Sequence, residues 1–244
     1  ALHADDPHLV IPEVVGERSS GRILTLTYEP GDQIKDMDAQ GYDQQTRDVV
    51  GQRLAHMVYR QIFEFHAVHA DPNPANFAFR PNGDIVMYDF GCVKRFPRPD
   101  AAAYRDTMQA FWDDDAEAIH EGLVRIGLQR PGASAADSKD LYDTARTSFG
   151  PLLFEDREFD FAGSKNHTIF VQAIKEGLKR PRQFQPAASI LFTDRAQTGH
   201  YTNMKDMRAR FNMHRVYRDY LALPQLGDPG FDERMRRVPE RPPV

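Results

Sequence analysis

Pro72 and Pro74 stand two residues apart at the end of a long apolar-periodic stretch. Proline lacks the amide hydrogen and clashes with the preceding turn, so no helix continues through this pair. Upstream, Val50, Leu54, Met57, Val58, Ile62 and Phe65 recur at helical spacing, and Asp43 is the expected N-cap. The pattern predicts a helix over 43–65 and a loop over 69–76. Downstream, Phe77-Ala78-Phe79-Arg80, Pro81-Asn82-Gly83-Asp84 and Ile85-Val86-Met87-Tyr88 read as strand, turn and strand. Asp89-Phe90-Gly91 follows the second strand directly. A hairpin of this length returns the chain to the loop, so two polar clusters fall at element ends on one side of it.

Residues 9–15 and 22–28 are β-branched and apolar and flank the turn cluster Gly16-Glu17-Arg18-Ser19-Ser20-Gly21, which predicts a second hairpin. Pro30-Gly31 then breaks the chain as a hinge does. The remainder reads as helical. One segment over 101–128 carries Tyr104, Met108, Phe111, Trp112, Ile119, Leu123 and Ile126. Further helices are expected over 138–149, 166–179, 187–200 and 204–221, the last with Met207, Phe211, His214 and Tyr217 on one stripe. The tail after Gly227, rich in Pro and Arg, is expected to be mobile.

The 244 residues are 41% hydrophobic, enough for a sizeable core, and carry a formal charge of -5. That charge offers no global positive field to nucleic acid. A single cysteine, Cys92, rules out an intrachain disulfide and makes a reducing compartment the default. No apolar run reaches the roughly 20 residues of a membrane helix, and no signal-peptide pattern opens the chain. It begins at Ala1 rather than Met, with no element signal over residues 2–7, which reads as a piece excised from a longer protein.

The two polar clusters have a shared chemistry. Asn76 lies five positions after Asp71, and Asp89 thirteen after Asn76. Phosphoryl transfer uses one carboxylate to orient or deprotonate the attacking oxygen, and an amide oxygen with a second carboxylate to hold metal on the nucleotide phosphates. Each residue also has a plainer reading. Asp71 before Pro72 can form an Asx-turn. His66, His69 and Asp71 have metal-ligand spacing, yet His66 at a helix end is more simply a C-terminal cap. Cys92 reads as a small core residue rather than a reactive thiol. Lys94 and Arg95 read as a solvated face, and Asp113-Asp114-Asp115 as an exposed acidic turn or helix surface rather than a metal site.

His69-Ala70-Asp71-Pro72-Asn73-Pro74-Ala75-Asn76 followed by Tyr88-Asp89-Phe90-Gly91 strongly resembles the UbiB/ADCK (AarF-type) atypical kinase-like family, whose loop usually reads His-Ala-Asp-Pro-His-Pro-Gly-Asn. Ile11-Pro12-Glu13-Val14 and Ile23-Leu24-Thr25-Leu26, followed by Gly31, are similar to that family's last N-lobe strands and hinge; the motifs cover about residues 9–96. The resemblance implies an α+β, protein-kinase-like fold, mostly the helical C-lobe. Residues 1–30 would be a remnant of the N-lobe strands and hinge, 31–226 the C-lobe and 227–244 a flexible tail. It makes Asp71 the catalytic aspartate and Asn76 and Asp89 the metal ligands. The hinge backbone over Leu26, Thr27, Tyr28 and Glu29 would meet an adenine edge, and His69 and Gly91 would support the loops.

Asn73, Ala75 and Thr27 depart from the family's usual His, Gly and Glu. The chain also holds no nucleotide loop, no phosphate-binding strand Lys and no Lys-x-Gly-Gln segment, so the fragment alone is expected to hydrolyse ATP weakly or not at all. The implied activity is that of an ATP-dependent atypical kinase or ATPase, with ATP and Mg²⁺ as cofactors, supporting isoprenoid-quinone or lipid metabolism. The implied partners are a nucleotide and a small-molecule or lipid substrate, with no nucleic acid. The implied setting is cytoplasmic, with room for peripheral membrane contact. Two rivals stay open: a small-molecule phosphotransferase of the aminoglycoside/choline-kinase type, and a non-catalytic pseudokinase or lipid-binding scaffold.

Overall fold

Asp43 opens helix α1 (Gln44–Phe63), its carboxylate accepting the Thr46 amide at 2.8 Å. The computed structural model describes residues 5–132, 134–165 and 188–223, together with His3, Thr168, Lys175 and Lys179. Val50, Leu54, Met57, Val58 and Ile62 of α1 are buried, as their spacing requires. The helix closes with the Glu64 and Phe65 amides both donating to the Arg60 carbonyl. His66 then takes a left-handed φ of 49° and turns the chain into strand β2 (Ala67–His69).

Strand β1 (Leu9–Val10) lies parallel to β4 (Ile85–Met87), which pairs antiparallel with β3 (Phe77–Phe79) in a sheet ordered β1-β4-β3. β2 pairs antiparallel with β5 (Val93–Arg95). Phe77, Phe79, Ile85 and Met87 are fully buried, so the hairpin that carries the two polar clusters is anchored in the core. Asp32 and Phe79 exchange both backbone hydrogen bonds at 2.8 Å, and a Cβ on Gly31 would come within 2.8 Å of the Ala78 Cβ. The Pro30-Gly31 break therefore runs in close contact with β3.

The expected first hairpin forms only in part. Val14 and Leu26, and Ser20 and Ile23, meet as isolated antiparallel bridges around a 3-10 turn at Gly16–Arg18. Pro12 cannot donate to a ladder, and the residues before it, Leu9 and Val10, pair with β4 instead.

The single helix expected over 101–128 is two: α2 (Arg98–Asp113) and α3 (Ala116–Arg125). Asp114 adopts φ 60°, a region Asp tolerates, and Asp115 caps α3 by accepting from the Glu117 and Ala118 amides. Three carboxylates at a helix C-terminus oppose its dipole and at an N-terminus favour it, so the acidic run divides the segment. α4 (Ala135–Phe149) starts three residues earlier than expected and ends in a π-helical turn at Gly150–Phe154.

The last two expected helices are redistributed. α5 (Ala188–Asp206) continues past His200, and Arg208 turns the chain at φ 58°. β7 (Arg210–Phe211) then pairs with β6 (Phe159–Asp160), and α6 (Met213–Leu221) begins at Asn212, whose side chain accepts the Arg215 amide at 3.1 Å. Met207, Phe211 and Tyr217 share one core although they sit on different elements. The expected helix over 166–179 lies largely, and the tail after Gly227 wholly, outside the described residues. Among those residues, no helix is long and apolar enough to cross a membrane.

Candidate functional site

The loop after β2 is held at its start by two bonds. Gln61 of α1 accepts the His69 amide at 2.9 Å, and the Ala70 amide donates to the Cys92 carbonyl at 2.8 Å. The Pro74–Asn76 segment forms a 3-10 turn started by Asn73, whose side chain accepts the Ala75 amide. This folds Asn76 back on Asp71. The Asn76 Nδ2 donates to Asp71 Oδ2 at 2.9 Å and to the Asp71 carbonyl at 3.2 Å.

Asn76 also reaches the second cluster: its carbonyl accepts the Tyr88 amide at 3.0 Å, one residue before Asp89. The Asp89 carbonyl lies 2.5 Å from His69 Nε2, and Asp89 Oδ1 accepts the Gly91 amide at 2.7 Å. A carbonyl only accepts, so Nε2 of His69 carries the proton of that bond, and its buried Nδ1 has no hydrogen-bond partner among the described residues. His69 thus ties the two clusters together, with its ring edge-on to Phe77 and Phe90. Its Nε2 is committed to Asp89, and no group of three His, Cys, Asp or Glu converges among the described residues.

Sequence reasoning missed the far wall of the site, which is one face of α5. Arg195, Gly199 and Asn203 are spaced four residues apart and so project from one side of the helix. Arg195 donates to Asp71 Oδ1 at 3.0 Å, and Asn203 donates to the Pro72 carbonyl at 2.9 Å. Gly199 admits the Pro72 ring: a Cβ there would lie 2.0 Å from the Pro72 Cγ. His200, next on the helix, is buried edge-on against Phe77 with its Nδ1 3.4 Å from the Asn203 amide nitrogen. Burial, and after it the neighbouring His69, push the His200 imidazole down to about 3, so it is neutral at pH 7.

The four hinge residues precede the Pro30-Gly31 break. Thr27 is engaged by Glu13, whose amide donates to the Thr27 hydroxyl and whose carbonyl accepts the Thr27 amide, each at 2.9 Å. The Glu29 carbonyl accepts the Tyr88 hydroxyl at 2.8 Å, and its carboxylate pairs with Arg80 at 2.8 Å. The Leu26 and Tyr28 amides have no partner among the described residues, and Tyr28 is 88% exposed. Tyr88 and Arg80 thereby couple the hinge to the hairpin that carries Asp89.

The donor set fits a hard divalent cation. Asp71 oxygens only accept, so the Asn76 amide nitrogen faces them and its oxygen points elsewhere. That oxygen and Asp89 Oδ2 are oxygen donors of the kind Mg²⁺ takes, and Asp89 is exposed. The Asp71 carboxylate meets the Asn76 amide and the Arg195 guanidinium at one loop, and the backbone of Asp89 is tied to that loop through His69.

Known proteins resemble this chain. Residues 1–123 match the family model of the ABC1 atypical kinase-like domain. The chain is 25% identical over 218 residues to the mitochondrial atypical kinase COQ8B of Danio rerio, covering 88% of this chain and 34% of that one. It is 28% identical over 174 residues to the mitochondrial atypical kinase COQ8 of Saccharomyces cerevisiae, covering 69% and 33%. The chain therefore spans about a third of the length of these relatives. Among solved structures, the Rv3197–erythromycin complex from Mycobacterium tuberculosis superposes with a TM-score of 0.67 at 17% identity, over 91% of this chain and 56% of that one, a likeness of fold. The family model takes in α1, the loop with Asp71 and Asn76, and Asp89, and on that match the chain belongs to the ABC1 (UbiB/ADCK) atypical kinase-like family.

Proposed function

We propose that this chain carries the base-and-metal half of an ATP-dependent phosphotransferase or ATPase of the UbiB/ADCK type, serving isoprenoid-quinone or lipid metabolism. The observation that carries the reading is the position of Asn76. Its amide nitrogen steadies Asp71, its carbonyl receives the strand that delivers Asp89, and its side-chain oxygen remains for a metal. Asp71 orients the attacking hydroxyl or water and accepts its proton. Asn76 and Asp89 would hold Mg²⁺, which would supply charge neutralisation on the phosphates. The Leu26 and Tyr28 amides are available to an adenine edge, and His69 keeps the metal and base loops in register. Most of the rate enhancement then comes from positioning and fixed charge. The quinone or lipid role rests on the family resemblance alone, since fold does not fix substrate.

The test is Asp89→Asn in the full-length protein, with Mg-ATP hydrolysis and nucleotide-induced stabilisation as readouts. Loss of Mg-dependent turnover with the melting temperature of the ligand-free protein unchanged supports the assignment. Hydrolysis at the wild-type rate removes Asp89 from the metal site.

A further inference from the structure

The loop from Asp71 to Asn76 contains no cation, yet a guanidinium reaches it from 124 residues away. Elsewhere among the described residues, Arg80 is paired with Glu29, and Lys94 lies over the Phe192 ring at 5.6 Å. Arg195 is different. Its side chain is 56% exposed and that of Asp71 33%, so their ion pair stands in water. Such pairs contribute about 0–1 kcal/mol and exchange readily. The helix beneath it does not give way: Gly199 and Asn203 lock α5 onto Pro72 one and two turns further on.

We infer that Arg195 is the phosphoryl clamp of this site, resting on Asp71 until a phosphate group arrives and then moving onto the oxygens of the transferred group. The inference rests on the phosphotransfer reading above and adds to it the cation that the loop lacks. In the structure Asp71 has one oxygen taken by Arg195 and the other by Asn76. A phosphate presents more negative charge than a carboxylate and accepts two parallel N–H bonds from arginine, so it competes for the guanidinium. The move frees Asp71 Oδ1 as the nucleotide becomes ready to react. The bond from the γ-phosphorus to its bridging oxygen then breaks, leaving its electron pair on ADP. The acceptor oxygen forms the new P–O bond, and its proton passes to Asp71. Nothing is oxidised or reduced. Arg195 bears on the equatorial oxygens, where charge accumulates in the transition state.

The experiment compares wild type, Arg195→Ala and Arg195→Lys in the full-length protein. Melting temperature is read alone, with Mg-ADP, and with Mg-ADP plus fluoroaluminate, which mimics the phosphoryl group in flight; kcat and KM for ATP are read in parallel. The clamp predicts that Arg195→Ala keeps the Mg-ADP shift and loses the extra fluoroaluminate shift. It also predicts a kcat about 10²–10³-fold lower with KM changed less than about threefold, and about tenfold recovery by lysine. A retained fluoroaluminate shift with kcat within about threefold of wild type overturns the clamp and leaves the phosphotransfer reading standing. Equal loss of both shifts, with a lower melting temperature of the ligand-free protein in both variants, makes Arg195 structural and also overturns it. A wild-type protein that responds to neither ligand refutes the phosphotransfer reading and this inference with it.

Discussion

Gly199 shows how much of the site depends on a side chain that is missing. A methyl group there would sit 2.0 Å from the Pro72 Cγ, so either α5 or the loop bearing Asp71 would have to move. Alanine gains about 1 kcal/mol of helix propensity, and overpacking of this kind costs about 1–3 kcal/mol. Gly199→Ala should therefore change the melting temperature by no more than a few degrees while displacing Asp71 from Arg195. Turnover should fall by tenfold or more, as about 1 Å of misplacement can cost more than that. Gly16→Ala, where a Cβ meets nothing within 4 Å, is the control and should leave both readouts unchanged. The contrast between the near and far walls of the site is physical. Asp71, Asn76 and Asp89 fall within 19 residues, and the prolines and the hairpin between them bring their two segments together. Arg195, Gly199 and Asn203 are brought to the same loop only by the packing of α5, and no local pattern in that helix distinguishes them from ordinary surface residues.

Elements whose ends are set by one residue were readable in the chain, and elements whose ends are set by competition between neighbours were not. The start of α1 follows from Asp43 alone, and the β3–β4 hairpin from its Pro-Asn-Gly-Asp turn. The apolar spacing across 101–128 continues in phase, so periodicity alone gives one helix. The break comes from Asp113-Asp114-Asp115, where Asp115 satisfies two amides of the following helix. Asp115→Ala should lower unfolding free energy by about 1 kcal/mol, the ordinary value of an N-cap. Asp113, exposed and bonded only to Gln109 four residues back among the described residues, should tolerate alanine within about 0.5 kcal/mol. Denaturant titration of both variants separates the two roles, and a Mg²⁺ dependence of stability lost in Asp113→Ala would instead place a metal in this run. The same competition governs residues 204–221, where Arg208 and Asn212 interrupt an apolar stripe that spacing alone would have left whole.

At the scale of the whole molecule, the core behind the loop contains imidazoles that resist protonation, and this links acid stability to the site. His200 is held down at about 3 by burial and then by His69, and His3 at about 4, chiefly by burial. In the unfolded chain both titrate near 6.5. Between those values the unfolded state binds the proton and the folded state does not, so stability is lost as pH falls from about 6.5 and is unaffected by these groups above about 7.5. Each such site contributes up to about 1.4 kcal/mol per pH unit within its window. Asp43, Asp84 and Asp156 are held below the usual carboxylate value, so their contribution is lost only at lower pH. Between pH 6 and 4.5 the slope of unfolding free energy sums the imidazoles, His56 among them, with Asp194. Burial pushes the Asp194 carboxyl up to about 7, so that group stabilises the fold as pH falls. The His200 share is therefore read as the difference between wild type and a His200 variant. His200→Gln removes the titration while keeping a polar side chain next to Asn203, and it should flatten that limb by up to about 1.4 kcal/mol per pH unit. An unchanged slope would show that protonation of His200 is not what destabilises the fold. Because His200 packs on Phe77 and meets Asn203, which holds the Pro72 carbonyl, protonating it also loosens the clamp on the Asp71 loop. The folded protein takes this proton only near pH 3, so the loosening belongs to strongly acidic conditions, below the limb on which stability is first lost.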